Sequence, residues 1–174
     1  PIYIQDNITT NNLAGMLFTN SSTAYVIGNN FTEDRVTSIS SAGFLDVLHF
    51  DANIFIAQGS VSPCINLDSL THLYMRNNFI DITGSGVNTI EIESVTNTTN
   101  RIGNVFTGDF ADAGETIYIR GANSADIMIY GNIFYGMWTG LNLQATADCD
   151  IYTENNIFTS NATAIRNDNI SGQL

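Results

Sequence analysis

The chain has 174 residues, enough for one domain, of which 44% are hydrophobic and only 13% charged. So much apolar side chain excludes a disordered acidic tail. Five arginines and no lysine stand against 17 acidic residues, a net charge of −12, which excludes a nucleic-acid partner and docking on anionic lipid, since both need a basic patch. Twenty-two asparagines, with abundant Ile, Phe and Thr, favour strands and turns over helices. No apolar run is long enough to cross a membrane as a helix, and no signal-peptide series begins at Pro1.

In chain order, Pro1-Ile2-Tyr3-Ile4 reads as a strand, and Asn7-Ile8-Thr9 as a degenerate copy of a triplet that then recurs. The full copies, Asn-x-Phe, are Asn29-Asn30-Phe31, Asn53-Ile54-Phe55, Asn77-Asn78-Phe79, Asn104-Val105-Phe106, Asn132-Ile133-Phe134 and Asn156-Ile157-Phe158. Their spacings are 24, 24, 27, 28 and 24 residues, a near-regular period that signals a repeat architecture. Each period holds a second element, an apolar-x-apolar triplet: Met16-Leu17-Phe18, Ile65-Asn66-Leu67, Ile90-Glu91-Ile92, Ile117-Tyr118-Ile119, Leu141-Asn142-Leu143 and, less cleanly, Ile165-Arg166-Asn167. Phe44-Leu45-Asp46 is the doubtful member. The alternation has period two, so these are strands.

A propeller blade needs about 40 residues, and sandwich hairpins need Asn-Gly turns between their strands. A coil of short strands fits the period. The expected fold is all-β: a right-handed parallel β-helix, or β-solenoid, of about seven coils. Coils stacked in register about 4.8 Å apart place Phe on Phe in an internal stack and Asn on Asn in a ladder of amides. The Asn is expected to occupy a left-handed turn position, which it tolerates well.

The runs Tyr25-Val26-Ile27-Gly28-Asn29-Asn30-Phe31 and Met128-Ile129-Tyr130-Gly131-Asn132-Ile133-Phe134 resemble the repeat of right-handed parallel β-helices, the pectate-lyase-like superfamily. The resemblance covers about residues 2 to 170 and is specific for fold rather than function. It implies three kinds of role: a bacteriophage tailspike or other virion appendage, a polysaccharide lyase or glycoside hydrolase, or a bacterial surface adhesin. The first is preferred. It carries with it a virion or extracellular location, a homotrimer or other virion chains as partners, and contact with surface polysaccharide. The capping helix usual at the start of such a fold has no counterpart here, so residues 1–174 are read as one β-helix domain of a longer chain.

Two faces of the coil draw attention. The outward column of the apolar-x-apolar strands is expected to run Leu17 and Thr19, Leu45 and Val47, Asn66 and Asp68, Glu91 and Glu93, Tyr118 and Arg120, Asn142 and Gln144, Arg166 and Asp168. Asp68, Glu91, Glu93 and Arg120 are the weak catalytic candidates, at separations of about 5 to 7 Å from strand geometry. The Asn-Thr-Asp, Asp-Asp and Gly-His-Gly runs of the pectin hydrolases are missing, so an enzyme is not expected. Tyr118, Asn142 and Trp138 are the carbohydrate-binding candidates, as rings to stack on and an amide to bond hydroxyls. In the strand before each Asn, one of two alternating sets must face out. Asp51 and Glu154 are poor core residues, so the set with Ala24, Val26, Leu48, Phe50, His72, Tyr74, Thr99, Arg101, Ile127, Ile129, Ile151 and Thr153 is taken as inward. The other set, with Tyr25, His49, Met128, Tyr130 and Tyr152, then forms an exposed face suited to an interface, unless a loop at 36–43 covers it.

No cofactor or metal site is expected. His49 and His72 stand at different offsets from the Asn, and Asp109, Asp112 and Glu115 lack the spacing of a Ca²⁺ loop, although Ca²⁺ is the one ion they would suit. Cys64 and Cys149 fall three coils apart, about 14 Å or more, too far for a disulfide.

Overall fold

A computed structural model describes residues 1–10, 16–18, 21–32, 39–41, 45–58, 65–67, 70–83, 90–92, 99–108, 115–121, 127–145 and 151–167. Every described element is a strand, and the strands form three seven-stranded parallel sheets, each receiving one strand per repeat. The first sheet holds Ile2–Gln5, Ser21–Ile27, Leu45–Asp51, Leu70–Arg76, Thr99–Ile102, Ile127–Tyr130 and Ile151–Glu154. The second holds Ile8–Thr10, Asn30–Thr32, Ile54–Gln58, Phe79–Thr83, Val105–Gly108, Ile133–Tyr135 and Ile157–Thr159. The third holds Met16–Phe18, Ile39–Ser41, Ile65–Leu67, Ile90–Ile92, Glu115–Gly121, Thr139–Ala145 and Thr163–Asn167. The molecule is a β-solenoid. Its core is the column enclosed by the three sheets, where Val26, Phe50, Phe55, Leu67, Ile119 and Ile129 are all buried.

The corner between the first and second sheets sets the register. Asn7, Asn29, Asn53, Asn78, Asn104, Asn132 and Asn156 stand one above another there. Each Oδ1 from Asn29 onward accepts two hydrogen bonds from the Asn of the preceding coil, one from its backbone N–H and one from its Nδ2. At Asn29, Asn53, Asn78, Asn104 and Asn156 the Nδ2 also donates to a carbonyl of the preceding coil's first-sheet strand. This satisfies both amide groups inside the wall, which a buried side chain requires. It also couples each coil to the next only in one register.

Three expectations are corrected at this corner. The fourth-coil member of the ladder is Asn78, not Asn77, so the ladder spacings after Asn29 are 24, 25, 26, 28 and 24. Ile80 therefore takes the core place expected for Phe79, pairing in register with Phe55 and Phe106, while Phe79 points out and is 39% exposed. The Phe stack is real but interrupted: Phe31 stacks on Phe55, and Phe106, Phe134 and Phe158 form a second run, with centroids 4.3 to 5.0 Å apart. The left-handed residue is the one before the ladder Asn: Asp6, Gly28, Ala52, Asn77, Gly103, Gly131 and Asn155 all have φ between 54° and 67°. The ladder Asn is held by its amide, and the strain of the turn falls on its neighbour.

The same one-residue shift reverses the inward set in one coil. Leu73 and Met75 are buried, and His72 and Tyr74 face out. Elsewhere the inward choice holds: Ala24, Val26, Leu48, Phe50, Ile127 and Ile129 are buried, while Met128 and Tyr130 are exposed. Thr153 at the last coil is exposed as well, and the side chains of Thr99 and Arg101 lie outside the description. Leu45 and Val47 belong to the first sheet. The second coil's third-sheet strand is Ile39–Ser41, which places residues 39–41 of the supposed covering loop in the wall itself.

Candidate functional site

The outer face of the third sheet carries the polar column expected of it. Asn66, Glu91, Tyr118, Asn142 and Arg166 follow one another in register. The flanking Ile65, Leu67, Ile90, Ile117, Ile119, Leu141 and Leu143 turn inward. The column is not an open groove along its length: Glu91 is 7% and Asn142 1% exposed, Asn66 is half-buried, Arg166 is exposed, and the half-buried Tyr118 donates its hydroxyl proton to Gln144 Oε1 at 2.6 Å. Asp68 and Glu93 lie outside the described residues, as does the side chain of Arg120, so none of the expected carboxylate pairs is assembled among the described residues. Trp138 is 46% exposed at the corner just ahead of Thr139–Ala145, where its carbonyl accepts from the Thr163 N–H. It projects from a corner, while Tyr118 and Asn142 stand in the strand column. Cys64, Cys149, Asp109 and Asp112 also lie outside the described residues, and Glu115 opens a strand paired with Thr139. His49 and His72 do not meet: His49 pairs with Tyr74, and His72 with Val47.

The outer face of the first sheet holds a ring stack. Tyr3, Tyr25, His49 and Tyr74 occupy equivalent positions in four successive coils. Their centroids are 4.8, 4.6 and 4.8 Å apart and their planes are within 12° of parallel. The parallel register imposes that spacing, and flat rings fill it without a gap. Ring planes stacked along the coil axis present their edges outward, so the stack offers hydroxyl groups and C–H edges rather than faces. Burial between two tyrosines pushes His49 below the ordinary histidine value; the Asp51 carboxylate opposes this shift and Arg76 adds to it. Beside the stack, Arg76 clamps Asp51 with both Nε and Nη2, at 2.9 and 2.6 Å. That bond holds the guanidinium above its ordinary value.

The second sheet carries the feature that the sequence reading passed over. Its first outward column is Ile8, Asn30, Ile54, Phe79, Val105, Ile133 and Ile157, in continuous register. Ile8, Ile54, Phe79, Ile133 and Ile157 are between 36% and 75% exposed. The second outward column runs Thr10, Thr32, Ile56, Asp81, Thr107, Tyr135 and Thr159. Its only carboxylate, Asp81, accepts a hydrogen bond from Thr107 Oγ1 at 2.7 Å. The signal was available as the middle residue of each Asn-x-Phe triplet, which is Ile or Val in most copies. The ring stack had a signal too, an aromatic four residues before each ladder Asn from Asn7 to Asn78.

Among the described residues, no three of His, Cys, Asp and Glu cluster as metal ligands, and no helix is long and apolar enough to cross a membrane. Compared with family models, with curated proteins and with solved structures, the chain finds no match in any of the three.

Proposed function

We propose that this chain is a structural and binding β-helix of a virion appendage (tailspike, tail fibre or capsid decoration) of the pectate-lyase-like kind, working outside cells as a homotrimer or with other virion chains and contacting surface polysaccharide. The observation that carries the reading is the outer surface of the solenoid. Two of its three faces present aromatic or aliphatic columns in register over several coils, where an isolated protein would place charge. A rigid shaft with apolar sides suits assembly. Exposed Trp138, Tyr135 and Tyr152 suit neutral sugar rings better than anionic ones, given the strong negative charge.

The test is to incubate the protein with purified bacterial surface polysaccharides, and to follow both retention on the glycan and the appearance of new reducing ends or unsaturated sugar products. The reading expects retention of at least one neutral polysaccharide with no product. Product formation would transfer the assignment to a lyase or glycosidase on the same fold. Absence of retention on every glycan would remove the binding half of the proposal.

A further inference from the structure

We infer that the outer face of the second sheet is the surface through which copies of this chain pack side by side. The inference rests on the assembly reading above and names the face. Five side chains of one column, Ile8, Ile54, Phe79, Ile133 and Ile157, are exposed in register, with half-buried Val105 continuing the line. From their fractional exposures they offer on the order of 400–500 Å² of apolar surface, already at the upper end of what a monomer ordinarily shows. The threonines, Ile56 and Tyr135 of the neighbouring column bring the face to roughly 800 Å², the share each partner contributes to a standard stable interface.

Two properties of the face choose the occupant. The first is its charge. Although the chain carries −12, the described outward positions of this sheet include one carboxylate, Asp81, already bonded to Thr107. Two such faces can be brought together with little burial of charge, which the other outer faces allow less readily: the first sheet presents the Asp51–Arg76 pair and Glu154, and the third presents exposed Arg166. The second is its period. From Ile54 to Ile157 the column places one bulky aliphatic or aromatic group at each coil step of about 4.8 Å, with Asn30 as a polar break between that run and Ile8. A surface that interdigitates with that comb over its four steps needs the same step, and a second copy of this chain has it by construction. A polysaccharide is a poor occupant, because isoleucine side chains leave its hydroxyl groups unsatisfied.

The experiment is sedimentation velocity on the whole chain at micromolar to tens of micromolar concentration. It compares the parent with Ile54→Asp/Ile133→Asp, with the milder Ile54→Thr/Ile133→Thr, and with Met128→Asp/Tyr130→Asp on the first sheet. Circular dichroism monitors each for the β spectrum. The expected result is an oligomeric parent, a monomeric Asp pair on the second sheet with its β spectrum kept, a Thr pair weakened about tenfold or more, and a first-sheet pair still associated. If the Asp pair fails to fold, the Thr pair decides. Dissociation by the first-sheet pair alone would overturn the assignment of the face while leaving self-association standing. A monomeric parent would overturn both, and co-sedimentation of that monomer with phosphatidylcholine vesicles would identify the face as a lipid contact instead.

Discussion

Replacing Asn104 with Ala isolates what the amide ladder contributes. Asn104 is fully buried, and its side chain makes four hydrogen bonds. Oδ1 accepts from Asn78 N–H at 3.1 Å and Asn78 Nδ2 at 2.8 Å; Nδ2 donates to Met75 O at 3.0 Å and Asn132 Oδ1 at 2.9 Å. Truncation leaves the backbone N–H and one Nδ2 hydrogen of Asn78, itself 1% exposed, without an acceptor, while the other Nδ2 hydrogen keeps Phe50 O. Each orphaned buried donor costs about 1–3 kcal/mol, so a loss of about 3–5 kcal/mol is expected. Asn7→Ala is the control. Asn7 is exposed and stands at the end of the described ladder, where its side chain only donates, to Gln5 O and Asn29 Oδ1. That change should cost about 1 kcal/mol or less, because no buried group is orphaned. Urea unfolding gives the totals, and hydrogen exchange by mass spectrometry gives the location. In a stack where each coil touches only its neighbours, the Asn104 variant should lose protection first in the strands around Met75, Asn78 and Asn132. Equal costs for the two variants, or a cost below about 1 kcal/mol for Asn104→Ala, would refute the view that the ladder is a satisfied buried network.

Three further outcomes follow from particular positions. Ile80→Ala should cost about 2–4 kcal/mol and Phe79→Ala under about 1 kcal/mol by denaturant melts, because only Ile80 is in the core; the reverse order would restore the simple Asn-x-Phe reading. His49 is held below its ordinary value, so its proton favours the unfolded chain: its contribution is full above the unfolded value near 6.5 and falls as pH drops toward the lower folded value. NMR titration should show the depressed midpoint, and His49→Phe should keep the stack while removing that part of the acid sensitivity; a midpoint above 6.5 would contradict it. Gly136→Ala should destabilise far more than Gly131→Ala in thermal melts. Both glycines have positive φ, 72° and 64°, but a Cβ on Gly136 would lie 2.5 Å from Gly108 O, whereas one on Gly131 meets nothing within 4 Å. Comparable losses would mean that the turn conformation alone, not the close approach, sets the demand for glycine.

The period, the coil of short strands, the Phe stack and the Asn ladder could all be read from residue spacing, because parallel in-register stacking makes chemically equal positions recur. The register errors came from one added residue. Asn77 and Asn78 are both asparagine, and Phe79 and Ile80 are both bulky and apolar, so the text of the fourth coil fits two registers. Side-chain burial separates them: in the observed register Leu73, Met75 and Ile80 all fill the core at once, whereas the other would put His72 and Tyr74 there. The second strand of the third sheet, Ile39–Ser41, was missed because Ser41 breaks the apolar-x-apolar signature. The corner at Gly136 was missed for a different reason. There Asn161 repeats the ladder geometry, its Oδ1 accepting from Met137 N–H and its Nδ2 donating to Phe134 O, but only once among the described residues, so no periodicity announces it. Burial of Glu91 and Asn142 on an outward-pointing column is a tertiary fact that alternation alone does not contain.

Exchange of the asparagine side-chain amides, followed by NMR on ¹⁵N-labelled protein, tests the solenoid and its register together. The account expects the NH₂ groups of Asn29, Asn53, Asn78, Asn104 and Asn132, all at most 1% exposed, to exchange slowly as a group. Nuclear Overhauser contacts should link the Asn78 amide to Phe50 and to Asn104, and the amide of exposed Asn77 should exchange rapidly. Protection of Asn77 with rapid exchange at Asn78, or rapid exchange throughout the series, would contradict it.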